Sequence, residues 1–499
     1  MPPTIVFREH TIAPEPFQDR VLRSARVLQS AGIGEGAVVA LMMRNSPQLL
    51  ELMLAARWLG AMWCPINWHY KTEEVQYILG DSGARVLVID AALLAGLPGL
   101  RLDTITHFVH DDGLGASAPA ATAPDWEHSR DAAAPLDEPA RAPRGAMLYT
   151  SGTTGRPKGI VREAASPDKV ASSLAVLRQV LGFRPGMRAL VSAPMYHSAP
   201  NTYCVGAALE GAELFIEPRF DAEHTLRMIE RHRITHAYLV PTMYVRMLAL
   251  PEEVRKRYDL GSMQFVASTG SPCAPEVKRA MIDWWGPVIN EAYGSSELGY
   301  STLLNSADAL RKPGSAGRPL PGARFAILDE QGAELPSGQP GLIYLHQDAY
   351  ADFSYIGNPE ARRRMEKNGL KTLGDVGYLD EDGFLFIVDR ASDMVISGGV
   401  NIYPAEIEAV LQSMPGVADC AVFGIPDAEF GEALGTAVQL QPGAAVSAEQ
   451  VCAFLKERLA GYKVPKVVEF VAQMPREDTG KIFKRKLREP YWAGMARRI

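Results

Sequence analysis

The sequence lacks any pair of cysteines close enough to form a motif. Cys64, Cys204, Cys273, Cys420 and Cys452 are far apart and odd in number, so neither a zinc site nor a disulfide framework is indicated, and a reducing cytoplasm is the expected location. Excess positive charge is also missing. The formal net charge of −7 argues against a general nucleic-acid or anionic-membrane binder, although Lys481, Lys484, Arg485, Lys486 and Arg488 form one local basic cluster. The longest apolar stretch, Leu49 to Ile66, is interrupted by Glu51 and Arg57 and ends at Pro65, which is too broken for a membrane span. Arg8, Glu9 and His10 follow only a few apolar residues, so the segment does not read as a secretory signal. No internal repeat is visible. What remains is ordinary globular composition, 47% hydrophobic and 22% charged, over a length of 499 residues that allows two or more domains with buried cores.

The most informative run is Tyr149-Thr150-Ser151-Gly152-Thr153-Thr154-Gly155-Arg156-Pro157-Lys158-Gly159. Its glycines let the backbone approach an anion, its hydroxyls offer donors, and Lys158 supplies a compact positive charge. These are the parts of a phosphate cradle. It is not a Walker A loop, because Pro157 precedes Lys158 and Gly159 follows it, so no helix dipole starts there and the hydroxyls, amides and Lys158 must hold the anion.

Short β-branched runs at Val38 to Met43, Val86 to Ile89, Ala189 to Ser192, Ala237 to Val240 and Phe265 to Ser268 alternate with helical patterns, which predicts βα units and largely parallel sheets. Ser46-Pro47 ahead of Leu49, Leu50, Met53, Leu54 and Trp58 reads as a capped amphipathic helix. Residues 113 to 143, rich in Ala, Pro and Asp, read as an exposed connection. Arg324 to Asp329 and Leu342 to His346 alternate around a turn and predict an antiparallel portion. After Arg390 the pattern restarts. Pro404 opens a helix with Ile407, Val410, Leu411 and Met414 on one face, and Ser447 with Gln450 forms a capping box; with strands near Ala418 to Phe423 and Val467 to Val471 they make a small α+β domain. The expected division is 1–390 and 391–499.

Further along, four stretches carry chemistry. His197 follows a predicted strand within Ala193-Pro194-Met195-Tyr196-His197-Ser198, and no acidic residue occurs between Ala193 and Leu209. Ser268-Thr269-Gly270 precedes Asn290-Glu291-Ala292-Tyr293-Gly294-Ser295-Ser296-Glu297, where glycine beside an aromatic ring suits a flat ligand and a nearby carboxylate suits Mg²⁺, which takes oxygen ligands and substrate phosphates. Taken alone, Tyr293 reads equally as core and Glu297 as surface. Asp375 can accept two ribose hydroxyls and Arg390 can reach ribose and phosphate oxygens; the same two residues also read as a buried ion pair near a domain edge. The fourth stretch is Thr479-Gly480-Lys481.

Together with the phosphate loop, these five motifs resemble those of the adenylate-forming superfamily, in family order over nearly the whole chain. That superfamily includes acyl-CoA synthetases, luciferases and the adenylation domains of nonribosomal peptide synthetases. The resemblance implies an α/β fold: a large N-terminal domain of stacked mixed sheets with a β-barrel-like part, and a small C-terminal domain on a hinge near Ser392. It implies an AMP-forming carboxylate–CoA ligase acting on a fatty, aromatic or other bulky acid with ATP, Mg²⁺ and coenzyme A. By likeness, Thr150, Ser151, Gly152, Thr153, Thr154, Gly155 and Lys158 hold phosphates; Gly270, Tyr293, Gly294, Ser295, Ser296, Asp375 and Arg390 contact the nucleotide. Glu297 ligates magnesium and Lys481 is the catalytic lysine. His197 sits near the substrate carboxylate. Gly398 and Gly399 pass the pantetheine arm, with Phe430, Tyr462 and Lys466 as CoA contacts. The expected partners are the small-molecule acid and CoA, with no nucleic acid and no membrane span; a homodimer is the assembly considered. The competing readings are a stand-alone enzyme loading a carrier protein, a luciferase-like oxygenase, and a nucleotide-binding regulator that has lost catalysis.

Overall fold

In the computed structural model the described residues are 2–111, 123–150, 157–391, 393–398, 400–476 and 482–493. Two parallel sheets form the front of the chain. The larger has seven strands in the order Ile289–Glu291, Phe265–Ser268, His236–Tyr238, Arg188–Val191, Glu213–Ile216, Thr4–Phe7 and His10–Ile12. All of its pairings are parallel except the last, because helices cross over between its other strands. A second sheet, entirely parallel, places Val38–Met42 between Met62–Pro65 and Val86–Asp90, with Thr106–His110 outside. Val38–Met42 and the first four residues of Val86–Asp90, at its centre, read as unbroken apolar runs because both faces are covered. Val39, Leu41, Val86 and Val88 point into the core shared with the larger sheet, while Val38, Ala40, Met42, Leu87 and Ile89 pack on Val75, Ile78 and Leu79 of the helix Thr72–Ser82.

The helix Pro47–Trp58 forms where expected, with the Ser46 hydroxyl accepting from the Leu49 amide at 3.2 Å. It is not amphipathic, however. Leu49, Leu50, Leu52, Met53, Ala55 and Ala56 are all buried, because the helix packs between the sheets instead of on their surface. Glu51 is buried with them, held by Arg130 at 3.0 Å and Arg20 at 3.4 Å. Arg130 also corrects the reading of 113 to 143 as an exposed connection. Of that stretch, 113 to 122 lie outside the described residues, but Trp126–Ala132 is a helix capped by Asp125, and Trp126 is fully buried edge-on to Phe108. Pro and Ala content concealed a segment that Trp126 and Arg130 tie to the core.

Residues beyond 300 are largely antiparallel. Ala323–Leu328 pairs with Gly341–Gln347, which continues through Asp375–Leu379 to Leu385–Arg390. The predicted turn is therefore a hairpin. A smaller three-stranded sheet joins the two parts of the large domain: Lys158–Arg162 lies between Leu148–Thr150 and Phe353–Tyr355, with Ile160 opposite Tyr355 and Arg162 opposite Phe353.

The small C-terminal domain has its own sheet, in which Gly431–Leu440 pairs with Val417–Asp427, Val395–Ser397 and Val467–Phe470. The helices Pro404–Gln412 and Ala448–Lys456 bury Ile407, Leu411, Val451 and Leu455 against it. The Ser447 and Gln450 capping box is reciprocal, each side chain accepting from the other's backbone amide.

Candidate active site

Three of the sequence-predicted stretches begin at the carboxyl ends of parallel strands in the larger sheet. His197 follows Arg188–Val191, Gly270 follows Phe265–Ser268, and Tyr293 follows Ile289–Glu291. In open α/β sheets the crevice beyond those ends is where ligands bind. Gly270 has φ +96°, a conformation that disfavours a side chain, so the chain turns away after Thr269. Gly294 is required by space: a Cβ there would meet the Gly299 carbonyl oxygen at 2.5 Å.

The phosphate-loop stems come to the same place through the three-stranded sheet. The Thr150 hydroxyl donates to Glu297 Oε1 at 3.4 Å, and the Tyr355 hydroxyl donates to the same oxygen at 3.2 Å. Lys158 Nζ lies 5.3 Å from the centroid of the Tyr355 ring. Arg162, two positions beyond Ile160, reaches the Ser296 and Glu297 carbonyls. On the outer side, the Tyr149 hydroxyl donates to Asp81 at 2.7 Å and the Tyr77 hydroxyl to the Pro157 carbonyl at 3.1 Å, so one face of the helix Thr72–Ser82 holds both stems. Ser151 to Gly155 lie outside the described residues.

A second cluster faces the antiparallel part. The Tyr293 hydroxyl donates to Asp375 Oδ2 at 2.6 Å, and Arg390 Nε donates to Asp375 Oδ1 at 3.1 Å. Burial, and then the adjacent carboxylate, push the Tyr293 phenol well above its ordinary pKa, so it acts as a donor. Burial works against the charge of Arg390, yet Asp375 and Asp393 beside it hold its guanidinium above the ordinary value. Asp375 and Arg390 are therefore an ion pair at the edge of the large domain. Asp375 is 5% exposed and its carboxylate retains acceptor capacity beyond these two bonds. The Ser295 hydroxyl accepts from the Leu298 amide at 2.9 Å, closing the turn that carries Ser296 and Glu297.

His197 is the N-cap residue of the helix Ser198–Leu209, its ring 4.2 Å from that of Tyr196. Tyr196 in turn meets Trp68 edge-on at 4.7 Å. Asn201 in the following helix accepts from Trp63 Nε1 at 3.1 Å, and the Trp63 carbonyl accepts from the Met147 amide, which links this helix to the phosphate-loop stem.

On the small domain, Gly398 has φ +58° and its amide donates to the Phe430 carbonyl. Phe430 is exposed, with Lys466 Nζ 5.1 Å from its ring and bonded to Asp427 at 2.6 Å. Tyr462 is also exposed. Among the described residues no hydrogen bond or ion pair joins Gly398, Phe430, Tyr462 or Lys466 to the Glu297 or Asp375 clusters. Ser392, Gly399 and Lys481 lie outside the described residues. Tyr355, Arg162 and Asp81 were not anticipated. Their partners are distant in sequence, and only the strand pairing of Phe353–Tyr355 with Lys158–Arg162 brings the first two to Glu297.

Among the described residues no three His, Cys, Asp or Glu side chains group as a metal site, and no helix is long and apolar enough to cross a membrane. The donor set around Glu297, one carboxylate with the Thr150 hydroxyl, suits Mg²⁺, which commonly binds through one or two carboxylates plus substrate phosphates.

With this geometry in place, the comparisons with known proteins give the family. A profile described as AMP-binding enzyme matches residues 4–352, and one described as AMP-binding enzyme C-terminal domain matches 406–481. The chain belongs to the AMP-binding enzyme family, the adenylate-forming superfamily, and is a ligase. It is 37% identical over 476 residues to the long-chain-fatty-acid–CoA ligase FadD13 of Mycobacterium tuberculosis (strain ATCC 25618 / H37Rv), covering 94% of this chain and 91% of that protein. It is 34% identical over 482 residues to the feruloyl-CoA synthase of Amycolatopsis sp, covering 95% and 92%. ATP-bound MatB from Rhodopseudomonas palustris superposes with a TM-score of 0.85 at 30% identity, over 98% of this chain and 96% of that one.

Proposed function

We propose that the protein is an ATP-dependent carboxylate–CoA ligase that converts a fatty, aromatic or other bulky acid to acyl-AMP and then to acyl-CoA, releasing pyrophosphate and AMP. The observation that carries this reading is the meeting of Thr150, Lys158, Tyr355 and Glu297 in one cluster, beside the Tyr293, Asp375 and Arg390 cluster, at the carboxyl ends of the parallel strands. Two such clusters suit the two halves of a nucleoside triphosphate.

In this proposal Asp375 accepts ribose hydroxyls, Arg390 reaches ribose or phosphate oxygens, and the Tyr293 ring with Gly294 and Gly270 lies against the base. Lys158 and the loop hydroxyls bind phosphates, and Ser295 and Ser296 shape the turn that presents Glu297. Glu297 would hold Mg²⁺, which when bound neutralises phosphate charge. The work of the chain is largely electrostatic: fixed donors and cations placed where charge develops at the α-phosphate cost no reorganisation during reaction. Lys481 supplies the remaining cation, and His197 orients the carboxylate that attacks. The division at 390/391 belongs to the same proposal, with the small domain presenting Lys481 for adenylation and the face of Gly398 and Gly399 for the thiol.

A panel of aliphatic, aromatic and polycyclic acids, assayed for pyrophosphate and for AMP formation with CoA, tests this. Acid-dependent pyrophosphate release and CoA-dependent AMP turnover are expected. Release without CoA turnover, restored by a phosphopantetheinylated carrier protein, would move the reading to carrier loading. No acid-dependent release from any acid would remove the ligase reading.

A further inference from the structure

We propose that Arg162 is a positioning residue for Glu297, fixing the backbone from which that carboxylate projects toward the triphosphate. This rests on the reading of Glu297 as the magnesium ligand. Lys158, Ile160 and Arg162 alternate along one strand and so share one of its faces. The first reaches the phosphate side. The last is turned to the far end of the same site, where its guanidinium does something unusual for a charged group. Nη1 donates to the Ala351 carbonyl at 2.6 Å, and Nη2 donates to the carbonyls of Ser296 at 2.9 Å and Glu297 at 2.6 Å. Among the described residues it makes no ion pair.

A half-buried cation that binds only main-chain oxygens holds the path of the chain. Two successive carbonyls of the turn and one from the 351 segment converge on a single planar fork, and five fixed N–H donors match that arrangement in a way an ammonium does not. The Tyr350 ring closes the other side. It lies 5.8 Å from the guanidinium and against Gly299, where a Cβ would come within 2.2 Å of the ring, so the 296–299 turn is gripped from two directions. The Glu297 side chain is fixed separately, by Thr150 and Tyr355 on Oε1. Among the described residues Oε2 makes no hydrogen bond, and it is directed by the backbone that Arg162 holds.

Residues that orient a metal ligand typically change metal affinity or activity by about 10- to 100-fold when replaced. The test is calorimetric titration of the full-length protein with ATP, with and without Mg²⁺, for the parent, Arg162→Gln, Arg162→Lys and Glu297→Gln. Arg162→Gln is expected to lose about 10- to 100-fold of the Mg²⁺-dependent gain in ATP affinity, with metal-free ATP affinity unchanged. Arg162→Lys, which keeps the charge without the fork, is expected to fall between and serves if Arg162→Gln does not fold. Equal weakening with and without Mg²⁺ would make Arg162 a general structural residue and overturn the proposal. So would Arg162→Lys behaving as the parent. If Glu297→Gln loses the Mg²⁺-dependent gain and neither Arg162 variant does, the positioning role fails while the site reading stands; if Glu297→Gln loses nothing, the site reading itself fails.

Discussion

Asp375→Asn separates a nucleotide-binding carboxylate from a purely structural ion pair. In the parent, Oδ2 accepts from Tyr293 at 2.6 Å and Oδ1 from Arg390 at 3.1 Å. An ionised carboxylate offers about four acceptor positions, which leaves roughly two for the ribose hydroxyls. Asparagine turns one oxygen into a donor; with its oxygen toward Arg390 Nε and its N–H toward Tyr293, whose hydroxyl can turn to accept, both partners stay bonded, but the acceptor positions left for ribose are fewer. The fold should lose only about 1–2 kcal/mol, because the Arg390 side chain is 49% exposed and water replaces much of the lost pairing. Nucleotide binding should lose more. A hydrogen bond to a charged group is worth about 1.5–3 kcal/mol, so each ribose contact that is lost weakens ATP by about 10- to 150-fold. The assay is a cycle: affinities of ATP, 2′-deoxy-ATP and 3′-deoxy-ATP for parent and variant, with thermal unfolding measured in parallel. The parent should prefer ATP over at least one deoxynucleotide, and that preference should collapse toward unity in the variant. A variant that discriminates as strongly as the parent would show that Asp375 serves only Tyr293 and Arg390, and the ribose assignment would be wrong.

Lys481→Ala should lose about two to three orders of magnitude or more in acyl-AMP formation while making thioester from supplied acyl-AMP and CoA at a rate near the parent's; comparable losses in both steps would end the two-orientation account. Amino acids should be poor substrates beside their deaminated analogues, because no acidic residue between Ala193 and Leu209 can pair with a buried ammonium, and matched pyrophosphate exchange would contradict this. His236 should titrate near 4 by NMR of ¹³C-histidine-labelled protein: burial, then Arg184, push it down to about 4, and Arg184 donates to its Nε2 at 2.7 Å, which requires that nitrogen to be unprotonated. Since the folded pKa lies below the unfolded value of about 6.5, the unfolded chain takes up the proton first, and stability should fall by on the order of 3 kcal/mol as pH drops from about 6.5 toward 4. A midpoint near 6.5 would refute this.

Thr4–Phe7, Met62–Pro65, Thr106–His110, Glu213–Ile216 and Ile289–Glu291 did not stand out in the sequence, but the parallel strands Val38–Met42, Val86–Asp90, Arg188–Val191, His236–Tyr238 and Phe265–Ser268 were legible as short, mostly apolar runs set between helix patterns. Their order in the sheet was not, since Thr4–Phe7 lies beside Glu213–Ile216 through a pairing about two hundred residues apart in sequence. The helix Trp126–Ala132 was missed for a related reason. Its stabilising partners, Phe108 and Glu51, belong to other elements, so nothing within 113 to 143 signals that Trp126 and Arg130 turn inward.

The site divides along the same physical line. The residues proposed as ligand contacts stand out by type and local spacing, because an anion, a base or a divalent cation each needs a particular donor or acceptor, and Thr150, Lys158, Tyr293, Glu297, Asp375 and Arg390 carry such groups in short motifs. Residues that hold these in place announce nothing, since a tyrosine or arginine serving as a brace has the same composition as one on any surface. Tyr355 has no distinctive neighbour in sequence; it matters because its strand pairs with Ile160, which brings one phenol between Lys158 and Glu297. Asp81 matters because it lies one helical turn beyond Tyr77, so that a single helix face reaches Tyr149 and Pro157 on either side of the phosphate loop. The geometry of the site is therefore set by pairings between distant segments, and substitutions at these braces should alter how well the site is assembled while leaving its chemical inventory intact.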